Sequence, residues 1–326
     1  MNLLAALLVL IALAGPAAAS SLPLLNVGGY AWAENLVFDC QGNMFVSDHF
    51  QGTVTRIALN TTTNTYEKHV HAAGFDSVGG LSVSDDGQIL YFSAKTQDGV
   101  FGVYRVRTTG TPHGPFTPLA TLEALGNGVA VDDERNIMWT TAEHSFIRHT
   151  GTLTQVNLTS GETHTVKDDL YAADGLWFDK ASKLLFVGQL LNRHIYVYDT
   201  VAGQGKGDFD GMQHGIALAN MLDDLTLWNG TSADLGATLL VGADFTGKEV
   251  VKFRLDGSST SVLSPPSGID LHQPTSVRWG CGTGFDANSL YVSEGGGLSR
   301  MVTSRRVLQF PIGSADQERH VPIAHK

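Results

Sequence analysis

Short runs of alternating apolar and polar residues recur along the chain, separated by turns rich in Gly, Asp and Ser, and this period of two is the pattern of half-buried strands. One composite pattern returns six times. It opens on a polar residue and a Gly or small residue, runs through alternating apolar positions to an Asp and a turn, and continues into a second strand ending in Ser, Thr or Gly. The clear copies are 34–39 (Glu-Asn-Leu-Val-Phe-Asp), 79–84 (Gly-Gly-Leu-Ser-Val-Ser), 127–132 (Asn-Gly-Val-Ala-Val-Asp) and 174–179 (Asp-Gly-Leu-Trp-Phe-Asp), with weaker ones at 224–228 and 275–279. Second strands are predicted at 43–47, 89–93, 137–141, 184–188, 238–242 and 289–293, and third strands at 54–59, 102–106, 194–198 and 250–255.

The copies begin at Glu34, Gly79, Asn127, Asp174, Asp224 and Thr275, spaced by 45, 48, 47, 50 and 51 residues. Units of this length, each with three or four strands, are blades of a β-propeller, because each blade exposes apolar faces that only its neighbours in a ring can cover. The expectation is therefore an all-β, six-bladed β-propeller over 20–326 as a single domain, with no amphipathic helix, no βαβ alternation and no WD40 signature. The innermost strand of each blade lines a central channel, so the six starting residues form a ring at one end of it. Three carboxylates and a carboxamide gathered there repel unless compensated, and a bound cation compensates them. All the donors are oxygens, which suits Ca²⁺, with Mg²⁺ or Mn²⁺ as alternatives, rather than zinc.

At these residues the chain resembles the gluconolactonase/regucalcin family and, more distantly, the diisopropyl-fluorophosphatase and paraoxonase propellers. The resemblance rests on the Glu that opens the first unit, on Asn127-Gly128 before Val-Ala-Val-Asp, and on Asp174-Gly175 before Leu-Trp-Phe-Asp, and it spans essentially the whole mature chain. It implies a divalent cation in the central channel and hydrolysis of lactones, or of phosphotriesters in some relatives. It makes Glu34, Asn127 and Asp174 metal ligands and Asp174 also a general base or nucleophile. Asp224 is a further candidate ligand, His272 a candidate proton shuttle and Thr275 a candidate substrate contact. Two departures stand out: Gly79-Gly80 occupies the place of a polar pair common in the family, and Ala33-Glu34-Asn35 replaces its usual Glu-Gly-Pro.

Residues 3–14 form an unbroken apolar run followed by Gly15-Pro16 and Ala17-Ala18-Ala19, which reads as a secretory signal over 1–19, against the alternative of an N-terminal anchor or buried helix. No later run is long enough for a membrane helix. Asn60, Asn157 and Asn229 each open a glycosylation sequon. An oxidising compartment favours pairing Cys40 with Cys281, which belong to the first and last repeats; two buried free thiols are the alternative. The net charge of −11, from 21 Lys+Arg and 32 Asp+Glu, argues against nucleic acid or an anionic membrane as partner.

Other motifs fall to their context. In 242–248 a phosphate-loop-like Gly-Ala-Asp-Phe-Thr-Gly-Lys runs into Glu249 and a predicted strand rather than a helix. His69 and His71 alternate on a strand and read as surface histidines, and Trp177, Trp228 and Trp279 read as packing between blades. No Gly-x-Ser-x-Gly elbow is present. Two functions stay open: a secreted, monomeric, divalent-cation-dependent hydrolase of small lactones or related esters, or a non-catalytic propeller whose channel metal is structural and whose loops bind a partner or carbohydrate. A condensing enzyme resembling strictosidine synthase is a third.

Overall fold

The computed structural model describes residues 22–110, 114–144, 149–210, 221–228, 235–296 and 305–312. The expected signal segment 1–19 and the sequon residue Asn229 lie outside the described residues. The architecture is the expected one: six four-stranded antiparallel sheets, five of them simple meanders, with the innermost strands touching in a closed circle.

Blade 1 comprises β2 (Ala33–Phe38), β3 (Asn43–Asp48), β4 (Thr53–Asn60) and β5 (Thr65–Ala72). Blade 2 comprises β6 (Phe75–Val83), β7 (Ile89–Thr96), β8 (Phe101–Arg107) and β9 (Ala120–Leu122). Blade 3 comprises β10 (Val129–Asp132), β11 (Ile137–Ala142), β12 (Gly151–Asn157) and β13 (Thr163–Leu170). Blade 4 comprises β14 (Ala173–Asp179), β15 (Leu184–Gln189), β16 (His194–Asp199) and β17 (Gln204–Asp210). Blade 5 comprises β18 (Leu222–Leu227), β19 (Leu239–Asp244), β20 (Glu249–Arg254) and β21 (Thr260–Leu263). Blade 6 holds β22 (Pro274–Trp279), β23 (Ser289–Glu294) and β24 (Arg306–Pro311), and its outer strand is β1 (Asn26–Gly28), from the other end of the chain. This closure was not part of the sequence expectation, since β1 is only three residues long and lies outside the repeat.

Strand alternation explains how each blade serves two neighbours. Met44 and Val46 of β3 pack toward blade 6 with Tyr291 and Val307, whereas Phe45 between them packs toward blade 2 with Phe75, Phe92 and Tyr104. Six apolar clusters result, one at each junction between blades. Trp228 and Trp279 meet edge to face at the junction of blades 5 and 6, in the packing role expected of them. His71 is buried rather than on the surface: its ring lies against Phe45 and its Nε2 meets the Arg107 carbonyl at 2.9 Å, while His69 is exposed beside Glu67.

Cys40 and Cys281 are joined, with Cα atoms 4.8 Å apart. Both lie in first turns of their blades, on the face opposite the start of the innermost strands. Asn60 and Asn157, at the ends of β4 and β12, point to that same face, where each side-chain oxygen caps its turn. Strand β1 and the disulfide therefore fasten one seam, between blades 6 and 1. Closing a 241-residue separation removes denatured-state entropy worth on the order of 5 kcal/mol. The double variant Cys40→Ser/Cys281→Ser is expected to lose up to about that much unfolding free energy in urea titrations, with an unchanged far-UV spectrum. Unaltered stability would mean that β1 and the interblade clusters close the ring unaided.

Candidate functional site

The site is made by a bulge repeated at the start of the innermost strands. In blade 1 the pairing steps from Ala33 opposite Asp48 to Leu36 opposite Val46, leaving Glu34 and Asn35 out of the ladder. The same slip sets apart Gly79-Gly80, Asp174-Gly175 and Asp223-Asp224, and in blade 6 it falls at Thr275. Bulges turn consecutive side chains out of the pleat, and here they aim the first residue of each pair toward the axis. Hydroxyls at the ends of the second strands hold these residues by their carbonyls: Ser293 donates to Glu34 O at 2.8 Å, Ser93 to Gly126 O and Thr141 to Asp174 O. That is the structural reason for the Ser and Thr that end the repeat.

The second bulge position faces the next blade closely. A Cβ on Gly80 would come within 2.1 Å of Asn127 O, and one on Gly175 within 2.4 Å of the Asp224 Cα, so the Asn-Gly and Asp-Gly pairs answer a demand for close approach. Blades 1 and 5 instead place side chains there, Asn35 and Asp224. Asn35 passes across the glycine pair of blade 2 and donates to the Asn127 carbonyl at 3.3 Å and its Oδ1 at 3.4 Å. A blade 1 side chain thus reaches Asn127 of blade 3 past a blade that offers only glycine here.

Blade 5 departs from the sequence alignment by one residue. Asp223, not Asp224, occupies the position equivalent to Glu34 and Asp174. Two adjacent aspartates in a period-two strand leave that register undetermined by pattern alone. The carboxylate of Asp224 is consumed elsewhere: Arg278 grips it at 2.6 and 3.2 Å, and Ser276 Oγ donates to it. Arg278 also donates to the Leu225 carbonyl at 3.0 Å, and its guanidinium lies 5.5 Å from the Trp177 ring centre. Thr275 is fully buried with its hydroxyl on Ala33 O at 2.7 Å and Ser293 Oγ at 3.0 Å, so it locks blade 6 to blade 1. His272 sits in the loop entering β22; its N–H donates to Glu294 at 2.6 Å and its carbonyl accepts from Gly296 at 3.1 Å.

Glu143, just past β11, joins the site without any signal in the repeat. Its carboxylate accepts from Asn127 Nδ2 at 3.0 Å, which fixes the carboxamide's orientation. Trp32 performs a similar service for Glu34, donating its indole N–H to Oε2. Asp174 Oδ1 and Asp223 Oδ1 are buried without a hydrogen-bond partner. Among the described residues no three His, Cys, Asp or Glu side chains stand close enough together to hold a metal ion.

The electrostatics follow from this crowding. Burial, then Asp223, Glu143, Glu34 and Asp224, push Asp174 well above the usual carboxylate range, and burial, then Glu34, Asp224 and Glu143, do the same to Asp223. Burial chiefly raises Glu34 and Glu143, each to about 7, against the hydrogen bonds of Trp32 and Asn127. Such groups favour protons or a nearby cation, and the side chains of Glu34, Asn127, Asp174 and Asp223 offer oxygen donors, the kind a hard divalent ion takes, without being gathered into a coordination shell.

The sequence matches no protein-family model and no curated protein. Solved structures share the fold. A luciferin-regenerating enzyme superposes with a TM-score of 0.65 at 13% identity, over 90% of this chain and 96% of that one. Regucalcin from Agrobacterium tumefaciens strain C58, described as a calcium-binding protein, gives 0.62 at 14% identity over 89% and 94%. A protein put forward as a gluconolactonase gives 0.60 at 15% identity over 89% and 92%. The propeller expected from the family resemblance is the propeller found, and these neighbours are of that kind.

Two outcomes are expected of the purified protein. Glu34 and Glu143 hold protons more tightly folded than unfolded, so their stabilisation is complete below pH 4.5 and is lost as pH rises through about 7. Chelator-treated protein should accordingly lose melting temperature between these values, and Glu143→Gln should flatten the decline. Asp174 and Asp223, raised by burial and neighbouring acids, and Asp133 and Asp244, raised to about 6 mainly by burial, act in the same direction and leave a residual slope. Separately, Arg278→Met should cost about 3–5 kcal/mol by stranding Asp224, and adding Asp224→Leu should recover a large part of it. Additive losses in urea unfolding would show that the pair is not coupled.

Proposed function

We propose that the channel mouth binds a divalent cation, Ca²⁺ foremost, on Glu34, Asn127, Asp174 and Asp223, and that the protein is a secreted hydrolase of lactones or related esters. The observation that carries this is the pair of buried, unpartnered carboxylate oxygens on Asp174 and Asp223, set among further raised acids. A cation bound there supplies Lewis-acid polarisation of a carbonyl oxygen and stabilises the oxyanion. The chain's own groups do the rest. Asp174, desolvated and of high proton affinity, is suited to take a proton from the attacking water. Trp32 and Glu143 hold Glu34 and Asn127 in place, so the donors need little reorganisation. His272, on the same face, serves as the candidate proton shuttle. The disulfide, together with sequons at Asn60 and Asn157 on the face opposite the mouth, supports an extracellular or secretory-lumen setting. No helix among the described residues is long and apolar enough to cross a membrane.

One observation favours the second reading, a non-catalytic propeller with a structural channel cation. Gly79 and Gly80 leave blade 2 without a side chain at the mouth, and no side chain fits, since a Cβ would meet backbone oxygens at 2.2 and 2.1 Å.

Metal content and hydrolysis of a lactone and phosphotriester panel separate the two. The hydrolase reading expects Asp174→Asn and Asp223→Asn to lose both bound metal and activity by at least about 100-fold. It expects Asp224→Asn to keep the metal while losing stability. Stoichiometric metal that raises the melting temperature, with no turnover on any substrate, would give the second reading the lead.

A further inference from the structure

Beside Glu34 the mouth carries an aromatic surface that the hydrolytic chemistry leaves unused. Trp32 is fixed from every side. Its N–H and that of Ala31 donate to the Asp48 carboxylate at 3.0 and 2.7 Å, its carbonyl accepts from His49 at 2.9 Å, and its indole N–H donates to Glu34. Its ring lies flat on the backbone of blade 6, where a Cβ on Gly295 would come within 2.7 Å of it. Phe50, in the turn between β3 and β4, meets the ring edge-on at 5.4 Å. Phe245, in the turn after β19, meets it at 5.9 Å. Trp32 therefore reaches from blade 1 over blade 6 to blade 5, and three aromatic rings border the carboxylate cluster on one side.

Phe50 is 63% exposed, and among the described residues it is the only aromatic among the exposed large apolar side chains. Of the others, Val70 and Val262 lie on outer strands, Val201 in an opposite-face turn, Leu22 and Leu24 before β1, and Val100 in the β7–β8 turn of blade 2, away from these rings. Most hydroxyls and carboxylates along this side are already engaged, the buried Gln273 Oε1 being the exception. Thr275 and Ser293 hydroxyls hold backbone carbonyls, Ser276 holds Asp224, and Asp48 accepts three backbone N–H groups. A polyhydroxylated substrate placed here would lose water from many hydroxyls for few new partners, which is costly, whereas an apolar group would gain contact with rigid rings.

We propose that Trp32, Phe50 and Phe245 form a specificity platform for an apolar alkyl or aryl substituent on the substrate, so that the substrate class is hydrophobic lactones or esters rather than sugar lactones. This rests on the hydrolase reading of the site. The experiment compares kcat/KM for γ-lactones bearing methyl, butyl and octyl chains and for glucono-δ-lactone. The expected result is a rise of about 2- to 4-fold per methylene, with glucono-δ-lactone the poorest substrate. Phe50→Ala, a change at an exposed side chain, and Phe245→Ala should each flatten that rise. Val201→Ala, removing an exposed apolar side chain from the opposite face, should not. A preference for glucono-δ-lactone, or a chain-length dependence equal in wild type and Phe50→Ala, overturns the platform. If no lactone is hydrolysed, the hydrolase reading fails, and the octyl lactone is titrated as a ligand by tryptophan fluorescence. A saturable change lost in Phe50→Ala then upholds the apolar platform, and no saturable change overturns it.

Discussion

Closing six sheets into a ring forces the beginnings of the innermost strands onto one axis, where any polar side chain is at once desolvated and close to its counterparts. Charges placed there are not readily relieved by moving apart, because Glu34 and Asp174 are each held by a bulge and by a hydroxyl from the adjacent blade, and Asp223 by its bulge. The protein meets this constraint in two ways. Lower in the circle it supplies its own counter-ion, Arg278, to the carboxylate of Asp224. At the mouth no cation among the described residues pairs with Asp174 or Asp223, and affinity for protons accumulates there. The difference between a paired and an unpaired acid is thus one residue along the same strand.

Much of the architecture could be read from the sequence because a propeller writes its repeat into every blade. The alternation in 34–47 or 174–188 places strands to within a few residues, and the Gly after Asn127 and Asp174 records how closely neighbouring blades approach. What escaped the reading was whatever a single copy does not repeat. Strand β1 is too short to carry a pattern, and Glu143 lies after a strand rather than at its start. The aspartate pair at 223 and 224 looks the same in either register until the ladder partner of Leu225 is known. Thr275 was placed correctly in the ring, but its hydroxyl faces a carbonyl of the adjoining blade, a commitment visible only in three dimensions.

The neighbours in known structures share the architecture at identities of 13 to 15%, a level at which side chains at the mouth are free to differ. The local geometry carries the functional argument for that reason. An acid cluster beside a fixed indole, with Asn35 bridging over a blade that bears only glycine, is a particular solution within a common frame.

The seam between blades 6 and 1 also orders events in time. Strand β1 pairs with β24, and Glu34 in blade 1 is held by Ser293 in blade 6, so partners are separated by nearly the full length of the chain. During synthesis the first five blades emerge before either partner of the seam can meet, and their terminal edges remain unpaired until the last blade appears. The mouth is therefore assembled last. Until the circle closes, Glu34 lacks the Ser293 hydroxyl that holds its carbonyl, so one of the first acids to be synthesised is the last to be fixed.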